Sequence, residues 1–318
     1  MKIVILDGKT CSPDGSAWES LRSFGEVTFY DRTAPEQVPD RIGNAEIVCT
    51  NKVKFTAELL ERCPSLRLIC VLATGYNVVD TAAARARGID VCNIPSYSTP
   101  SVAQMATALL LELTNHVALH NDSVHRGDWA ACPDFCYWLA PLTELDGKTL
   151  GIIGYGKIGQ AFGKVAQALG MNLLVCAHHR RPELESDTCR YADLDEVLSQ
   201  SHVVSLHCPQ TPETEKLINR ETLSKMRPGA LLLNTSRGGL LDEAAVAEAL
   251  SSGHLGGAAV DVVSSEPISL ENPLLTAPNC IITPHIAWAG EEPRARLLEI
   301  LRGNIQAFLA GSPRNLVN

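Results

Sequence analysis

Three residues in the last third of the chain have side chains that together could reduce a carbonyl. Arg237 closes the run ALLLNTSR, Glu266 follows AAVDVVSS, and His285 follows IITP. Each trails a short apolar run of the kind that forms a buried strand, and in open α/β sheets ligands bind beyond the carboxyl ends of the strands. A guanidinium can grip a carboxylate and polarise the carbonyl next to it. An imidazolium can hand a proton to the carbonyl oxygen as a hydride reaches the carbon. A carboxylate beside the imidazole keeps the ring oriented and favours its charged form. Two-electron reduction of a 2-oxo acid calls for these three groups. Taken singly, each also fits a structural part: a loop histidine more often serves packing, and Arg237 could be a surface charge beside Gly238-Gly239. No metal is expected, because Cys132 and Cys136 lack a second pair at zinc-site spacing.

A hydride needs a carrier. Gly154-Tyr155-Gly156-Lys157-Ile158-Gly159 follows the strand-like LGII and opens a helical pattern in which Ile158, Phe162, Val165, Ala166 and Leu169 share a face, closed by Gly170. Between a strand and a helix, this spacing predicts a dinucleotide cradle. Gly154 permits the turn, Gly156 lets a pyrophosphate approach the backbone, and Gly159 lets the helix lie close to the sheet. Lys157 and Ile158 then stand at the positive helix end. The alternative is a glycine-rich turn with no ligand. A site for NAD usually ends the next strand with an acid that binds the ribose hydroxyls and repels a 2′-phosphate. Here NLLVCAHHRRPE puts Ala177 at that place, 18 residues past Gly159, followed by His178, His179, Arg180 and Arg181. The expected cofactor is therefore NAD(P), with NADP(H) favoured over NAD(H) because guanidiniums can bond a phosphate. The alternative is that these cations merely solvate a turn.

The elements that must position these residues alternate. KIVILDG, EVTFYD, AEIVCTN, LRLICVLATG and GIDVCNIP read as strands separated by helical stretches, and a second series runs TLGIIGYG, NLLVCAH, HVVSLHCP, ALLLNTS, GAAVDVV and CIITPHIA. That rhythm predicts an α/β chain with parallel sheets. Between the series, SYSTPSVAQMATALLLELTNHVALH reads as one long helix with Thr99 as its cap and Pro100 in its first turn. A final helix from about Glu292 to Leu309 sets Leu297, Ile300, Leu301, Ile305 and Phe308 near one face. The predicted layout is discontinuous: 1–99 with 290–318 as a substrate lobe, and 100–289 as an inserted nucleotide lobe. At 318 residues, 45% hydrophobic and 20% charged, the composition is that of a globular protein with room for two cores. A net charge of −9 argues against a nucleic-acid surface, and no apolar run is long enough to span a bilayer, so a cytoplasmic protein is expected. Most of the eleven cysteines sit singly in apolar runs and read as reduced, buried hydrophobes.

The glycine cluster, NTSRGGLLDE, DVVSSEP and ITPHIAW, in this order and spacing, resemble the D-isomer-specific 2-hydroxyacid dehydrogenases over essentially the whole chain. Within that family, PDFCYW at Pro133 to Trp138 and HIAW at His285 to Trp288 look most like members that interconvert hydroxypyruvate and D-glycerate. The resemblance implies two Rossmann-like doubly wound lobes, the substrate lobe flavodoxin-like. It implies Arg237 as substrate-binding and catalytic, Glu266 as the partner that tunes His285, and His285 as acid/base. Backbone amides around Thr74-Gly75 in LATGYNVVD are implied to hold the substrate carboxylate, so that a small 2-oxo acid such as hydroxypyruvate or glyoxylate binds between the lobes. Cys208, Pro209, Thr214, Thr235 and Asp261 match positions that line the cofactor, and a homodimer formed through the nucleotide lobe is the family's usual assembly. Two departures stand out: Ala177 in place of the ribose-binding acid, and Gln104 and Ala106 where many relatives carry Glu and Thr. A D-lactate-type or branched 2-oxo acid is the alternative substrate, and a non-catalytic dinucleotide-sensing protein the alternative function. Glu266 speaks against a formate-dehydrogenase-like chemistry, which needs no proton donor and carries Gln at that position.

Overall fold

Runs of Val, Ile and Leu without polar alternation make strands buried on both faces, as parallel sheets covered by helices require. The computed structural model describes residues 1–318, which divide into two units: Met1–Ser98 with Trp288–Asn318, and Thr99–Ala287. In the first unit β1 (Lys2–Ile5), β2 (Glu26–Phe29), β3 (Ile47–Thr50), β4 (Leu68–Val71) and β5 (Asp90–Cys92) form a parallel sheet in the order β2-β1-β3-β4-β5. Alternate residues face opposite layers. Ile3, Ile47, Leu68 and Cys92 share one core with Leu297, Leu301 and Ile305 of the helix Glu291–Leu309, while Val4, Val48, Ile69 and Val91 pack with Phe55 and Leu60 in the other.

The second unit holds β6 (Thr149–Ile153), β7 (Asn172–Cys176), β8 (Cys189–Tyr191), β9 (Val203–Leu206), β10 (Ala230–Asn234), β11 (Leu255–Val260) and β12 (Cys280–Ile282). All pair in parallel, in the order β12-β11-β10-β9-β6-β7-β8. The order reverses between β6 and β9, which opens a crevice outside the carboxyl ends of those strands, where nucleotides bind in such sheets. The chain is thus α/β with two doubly wound parallel sheets.

Three local readings differ from the structure. The single long helix is two, Thr99–Asn115 and Val117–His125, with Thr99 inside the first as its opening residue and not a cap. His116 breaks it with φ 49°, a left-handed conformation no helix accommodates, and the Glu112 carboxylate accepts the Ala118 N–H to cap the new start. β8 went unread because CRY is three residues with an exposed Arg190 at its centre, an edge strand paired only with β7. In the helix Lys157–Ala168, Val165 is exposed and Gly163 takes the buried face instead, so close to the sheet that a Cβ there would stand 2.9 Å from Leu173 Cδ1.

Candidate active site

The glycine turn leaves β6 at the crevice. Gly154 has φ 96°, and a Cβ there would lie 2.5 Å from the amide nitrogen of Cys208 at the end of β9, so only glycine fits. A Cβ on Gly159 would meet the Gly154 carbonyl oxygen at 2.4 Å, which presses the helix start onto the turn. Gly156 has nothing within 4 Å of where its side chain would be. That free side lies at the amino end of a twelve-residue helix, the setting in which backbone amides and the helix dipole hold phosphates. At the end of β10 the Thr235 hydroxyl is buried with no hydrogen-bond partner, a donor left over for a ligand. Both features fit a dinucleotide. Past β7, Ala177 is half-buried, and His178 and His179 stack edge-on at 4.7 Å between ring centres. Arg180 and Arg181 are exposed and engaged in no ion pair.

Arg237, Glu266 and His285 leave three neighbouring strands, β10, β11 and β12, at their carboxyl ends. His285 Nδ1 and Glu266 Oε2 are 2.7 Å apart, with the two side chains 29% and 30% exposed. A carboxylate can only accept, so Nδ1 donates and Nε2 is the nitrogen left for exchange with a substrate. His285 holds φ 54°, an uncommon conformation for a residue with a Cβ. What holds it there is Asp261, 1% exposed at the end of β11: Oδ1 accepts the Thr283 hydroxyl (2.6 Å) and the Ile286 N–H (2.9 Å), Oδ2 accepts the Ala287 N–H (2.9 Å), and its carbonyl accepts the His285 N–H (2.8 Å). Arg237 is exposed, with Nη1 donating to the Ser236 carbonyl at 2.7 Å. Its turn is fixed by fully buried Asn234, whose amide accepts from Ser236 N–H (3.0 Å) and donates to the Arg237 carbonyl (2.8 Å). Gly238 then presses its backbone on Val263, where a Cβ would stand 1.9 Å from the carbonyl carbon, so the Arg237 turn abuts the loop of Glu266.

The remaining expected positions are scattered along strand ends. Burial pushes the Cys208 thiol up to about 11, which keeps it neutral. Pro209 is exposed, and the Thr214 hydroxyl donates to the Pro209 carbonyl (2.7 Å) and accepts the Thr211 N–H (2.8 Å), shaping that turn. Thr74 and Gly75 follow β4 in the first unit, the Thr74 hydroxyl donating to the Ile94 carbonyl (2.9 Å) and Asn93 Nδ2 donating to the Thr74 carbonyl (2.8 Å). No cluster of side chains suited to a metal ion is present, and no helix is long and apolar enough to cross a membrane. Asn234 and Glu243 were not singled out in the sequence, although both lie within NTSRGGLLDE; as polar residues flanking an arginine turn they offered only a generic signal.

Residues 107–287 match the family described as D-isomer specific 2-hydroxyacid dehydrogenase, NAD binding domain. The chain is 54% identical to a hydroxypyruvate reductase of Blautia hydrogenotrophica over 321 aligned residues, covering 100% of both proteins. It is 42% identical to a glycerate dehydrogenase of Methylorubrum extorquens, covering 99% of this chain and 98% of that one. Among solved structures, an NADPH-dependent glyoxylate/hydroxypyruvate reductase from Sinorhizobium meliloti, in complex with NADP and malonate, superposes with a TM-score of 0.87 at 28% identity, covering 99% and 96% of the two chains. The cradle at the switch point, the paired imidazole and carboxylate and these likenesses converge: the chain belongs to the D-isomer-specific 2-hydroxyacid dehydrogenase family.

Proposed function

We propose that this protein reduces hydroxypyruvate, and glyoxylate with it, to the D-2-hydroxy acid, with NADPH preferred to NADH. The observation that carries the reading is the 2.7 Å contact of His285 Nδ1 with Glu266, on a loop adjoining the turn of Arg237 and in the same sheet as the glycine cradle. Gly154, Gly156, Lys157, Ile158 and Gly159 would hold the pyrophosphate, with Cys208, Pro209, Thr214, Thr235 and Asp261 along the remainder of the cofactor. Bound there, the nicotinamide supplies the hydride. Arg237 holds the substrate carboxylate and polarises the adjoining carbonyl, a task shared with the Thr74-Gly75 amides. His285, kept in register by Glu266, gives the Nε2 proton to the oxygen at C2, and the neutral ring takes it back in the reverse direction.

The NADPH preference rests on Ala177, which carries no charge to repel a 2′-phosphate, and on the unpaired guanidiniums of Arg180 and Arg181 beside His178 and His179. A second copy of the chain is the partner proposed for the apolar stretch at Val117, Trp129, Phe135 and Trp138, the last two 89% and 69% exposed. That stretch is rigidly built, since the Ser123 hydroxyl is shared by Asp128 (2.6 Å) and Tyr137 (2.8 Å) and His120 Nε2 accepts the Leu139 N–H (3.0 Å). Large apolar side chains left this exposed are what an interface would cover.

The test is kcat/KM for hydroxypyruvate, glyoxylate, pyruvate, 2-ketoisocaproate and phosphohydroxypyruvate with each cofactor, alongside the sedimentation mass. Hydroxypyruvate with NADPH should lead, on a dimer. A strong NADH preference would sink the 2′-phosphate site, a lead for pyruvate or 2-ketoisocaproate the substrate, and a monomer the interface.

A further inference from the structure

Glu243 opens the helix Glu243–Ser251, yet its carboxylate serves a different segment. Oε1 accepts the Ser264 N–H at 2.7 Å, while Oε2 accepts the Ser264 hydroxyl at 2.6 Å and Asn272 Nδ2 at 3.0 Å. Those bonds grip both ends of the loop 264–272, and Glu266 lies inside it. The helix itself does not need Glu243 as a cap, because Asp242 accepts the Ala245 N–H at 3.2 Å in that role. Asn272 relays the grip: its side-chain oxygen accepts the Leu274 N–H at 3.0 Å and starts the turn Pro273–Leu275, which buries Leu274. Gly238 closes the other flank by its backbone contact with Val263. Within that loop Glu266 Oε1 accepts the Val263 N–H at 3.4 Å and Oε2 meets His285 at 2.7 Å.

We propose that Glu243 is a positioning residue of the proton-donating pair: by holding the loop 264–272 at both ends, it sets the Glu266 carboxylate against His285. This rests on the reading of His285 as proton donor. An ionised carboxylate offers acceptors only, which matches the three donors it meets here. The other charged groups on the surrounding elements are already committed. Asp261 is taken up by Thr283 and the Ile286 and Ala287 amides, Asp242 by its helix start and Lys216, Glu248 by Arg220, and Arg237 donates to Ser236, while Glu271 is exposed.

The consequence is legible in the split between kcat and KM. A loosened Glu266 leaves the His285 ring without its orienting partner, so proton transfer slows while substrate and cofactor still bind. The experiment compares wild type, Glu243→Ala, Glu243→Gln, Glu266→Gln and the double variant Glu243→Ala/Glu266→Gln with NADPH and hydroxypyruvate, and follows NADPH affinity by fluorescence. Glu266→Gln should lower kcat by about tenfold or more and Glu243→Ala by about threefold, with KM for hydroxypyruvate unchanged in both. The double variant should match Glu266→Gln alone, because one residue acts through the other. NADPH affinity should not change. Ser264→Ala removes a single bond of the grip and should lower kcat by less, again at unchanged KM; it carries the test if Glu243→Ala does not fold. A rise in KM that keeps step with the fall in kcat in the Glu243 variants, or a loss of kcat that multiplies that of Glu266→Gln, would overturn the positioning role alone. An unchanged kcat in Glu266→Gln itself would overturn the proton-donor reading and this inference with it.

Discussion

The two halves of the seven-stranded sheet build their ends by opposite means. On the side of β6, β7 and β8 the working loop is defined by side chains that are missing: Gly154 fits against Cys208, Gly159 against Gly154, and Gly156 faces open space. On the side of β10, β11 and β12 each working loop is tied by a polar side chain, Asn234 for the Arg237 turn, Glu243 for the Glu266 loop and Asp261 for the His285 loop. A pyrophosphate asks for room and for amides pointing one way, which glycine provides with no partner. Proton transfer asks for a side chain with one heading, and a loop holds one heading only when its polar atoms are satisfied.

Removal of one side chain should therefore separate the halves. His285→Ala should lower kcat for hydroxypyruvate reduction by about 10²-fold or more, the scale of a lost general acid. NADPH affinity should stay as it was, measured by fluorescence titration. A fall in affinity that keeps step with kcat would mean that the two ends are one structural unit, and the contrast would be lost.

Addition of one methyl group probes the other half. Gly156 has φ −74° and free space, so Gly156→Ala should keep the thermal midpoint within about 1 °C while raising the NADPH Kd about tenfold, equivalent to about 1.4 kcal/mol. Gly154→Ala meets both a positive φ and a backbone amide at 2.5 Å, and should destabilise the unit by about 2 to 4 kcal/mol. For a unit of this size that is a drop of roughly 5 to 15 °C. Calorimetry on the two variants checks this. Equal melting losses would mean that the free side of Gly156 is part of the fold and not of a ligand site.

The same contrast explains what could be read from the sequence. Glycines at fixed offsets between a strand and a helix are a local pattern, and strands such as IVIL and LLLN are contiguous, so the glycine turn and the α/β sheets were both legible. Arg237, Glu266 and His285 were legible as residues at strand ends, the place where ligands bind in such sheets. The grips on their loops were not, since Glu243 and Ser264 are 21 residues apart and Asp261 and Ala287 are 26 apart, with nothing in either stretch to mark the pairing. Asp261 was noticed only through resemblance, as a cofactor neighbour; its carboxylate also organises the His285 loop. The turn at His116 was hidden for a related reason, because a histidine in a left-handed conformation is set by the Glu112 cap and not by its own preference.

Between the halves runs β9, and its end supplies the smallest test. His207 follows it, its N–H bonded to the Ile153 carbonyl of β6 at 2.7 Å and its ring tilted on Phe162 at 5.5 Å. Ring Nε2 is 2.9 Å from the Ser205 hydroxyl, and Nδ1 is buried with no partner. Burial brings the pKa down from 6.5 to about 4. Above pH 6.5 the ring is neutral both folded and unfolded, and it contributes no pH dependence. As pH falls from 6.5 towards 4 the unfolded chain takes up a proton that the folded one refuses, so stability is lost across that window, at up to about 1.4 kcal/mol per pH unit. From pH 7 to pH 5 the wild type should therefore lose about 2 kcal/mol more unfolding free energy in urea than His207→Gln, whose amide can still bond Ser205. A parallel decline in the two proteins would mean that His207 accepts its proton while folded. In that case the seam between the glycine-built and the clamp-built halves would be wet, and the charge of one half would be felt in the other.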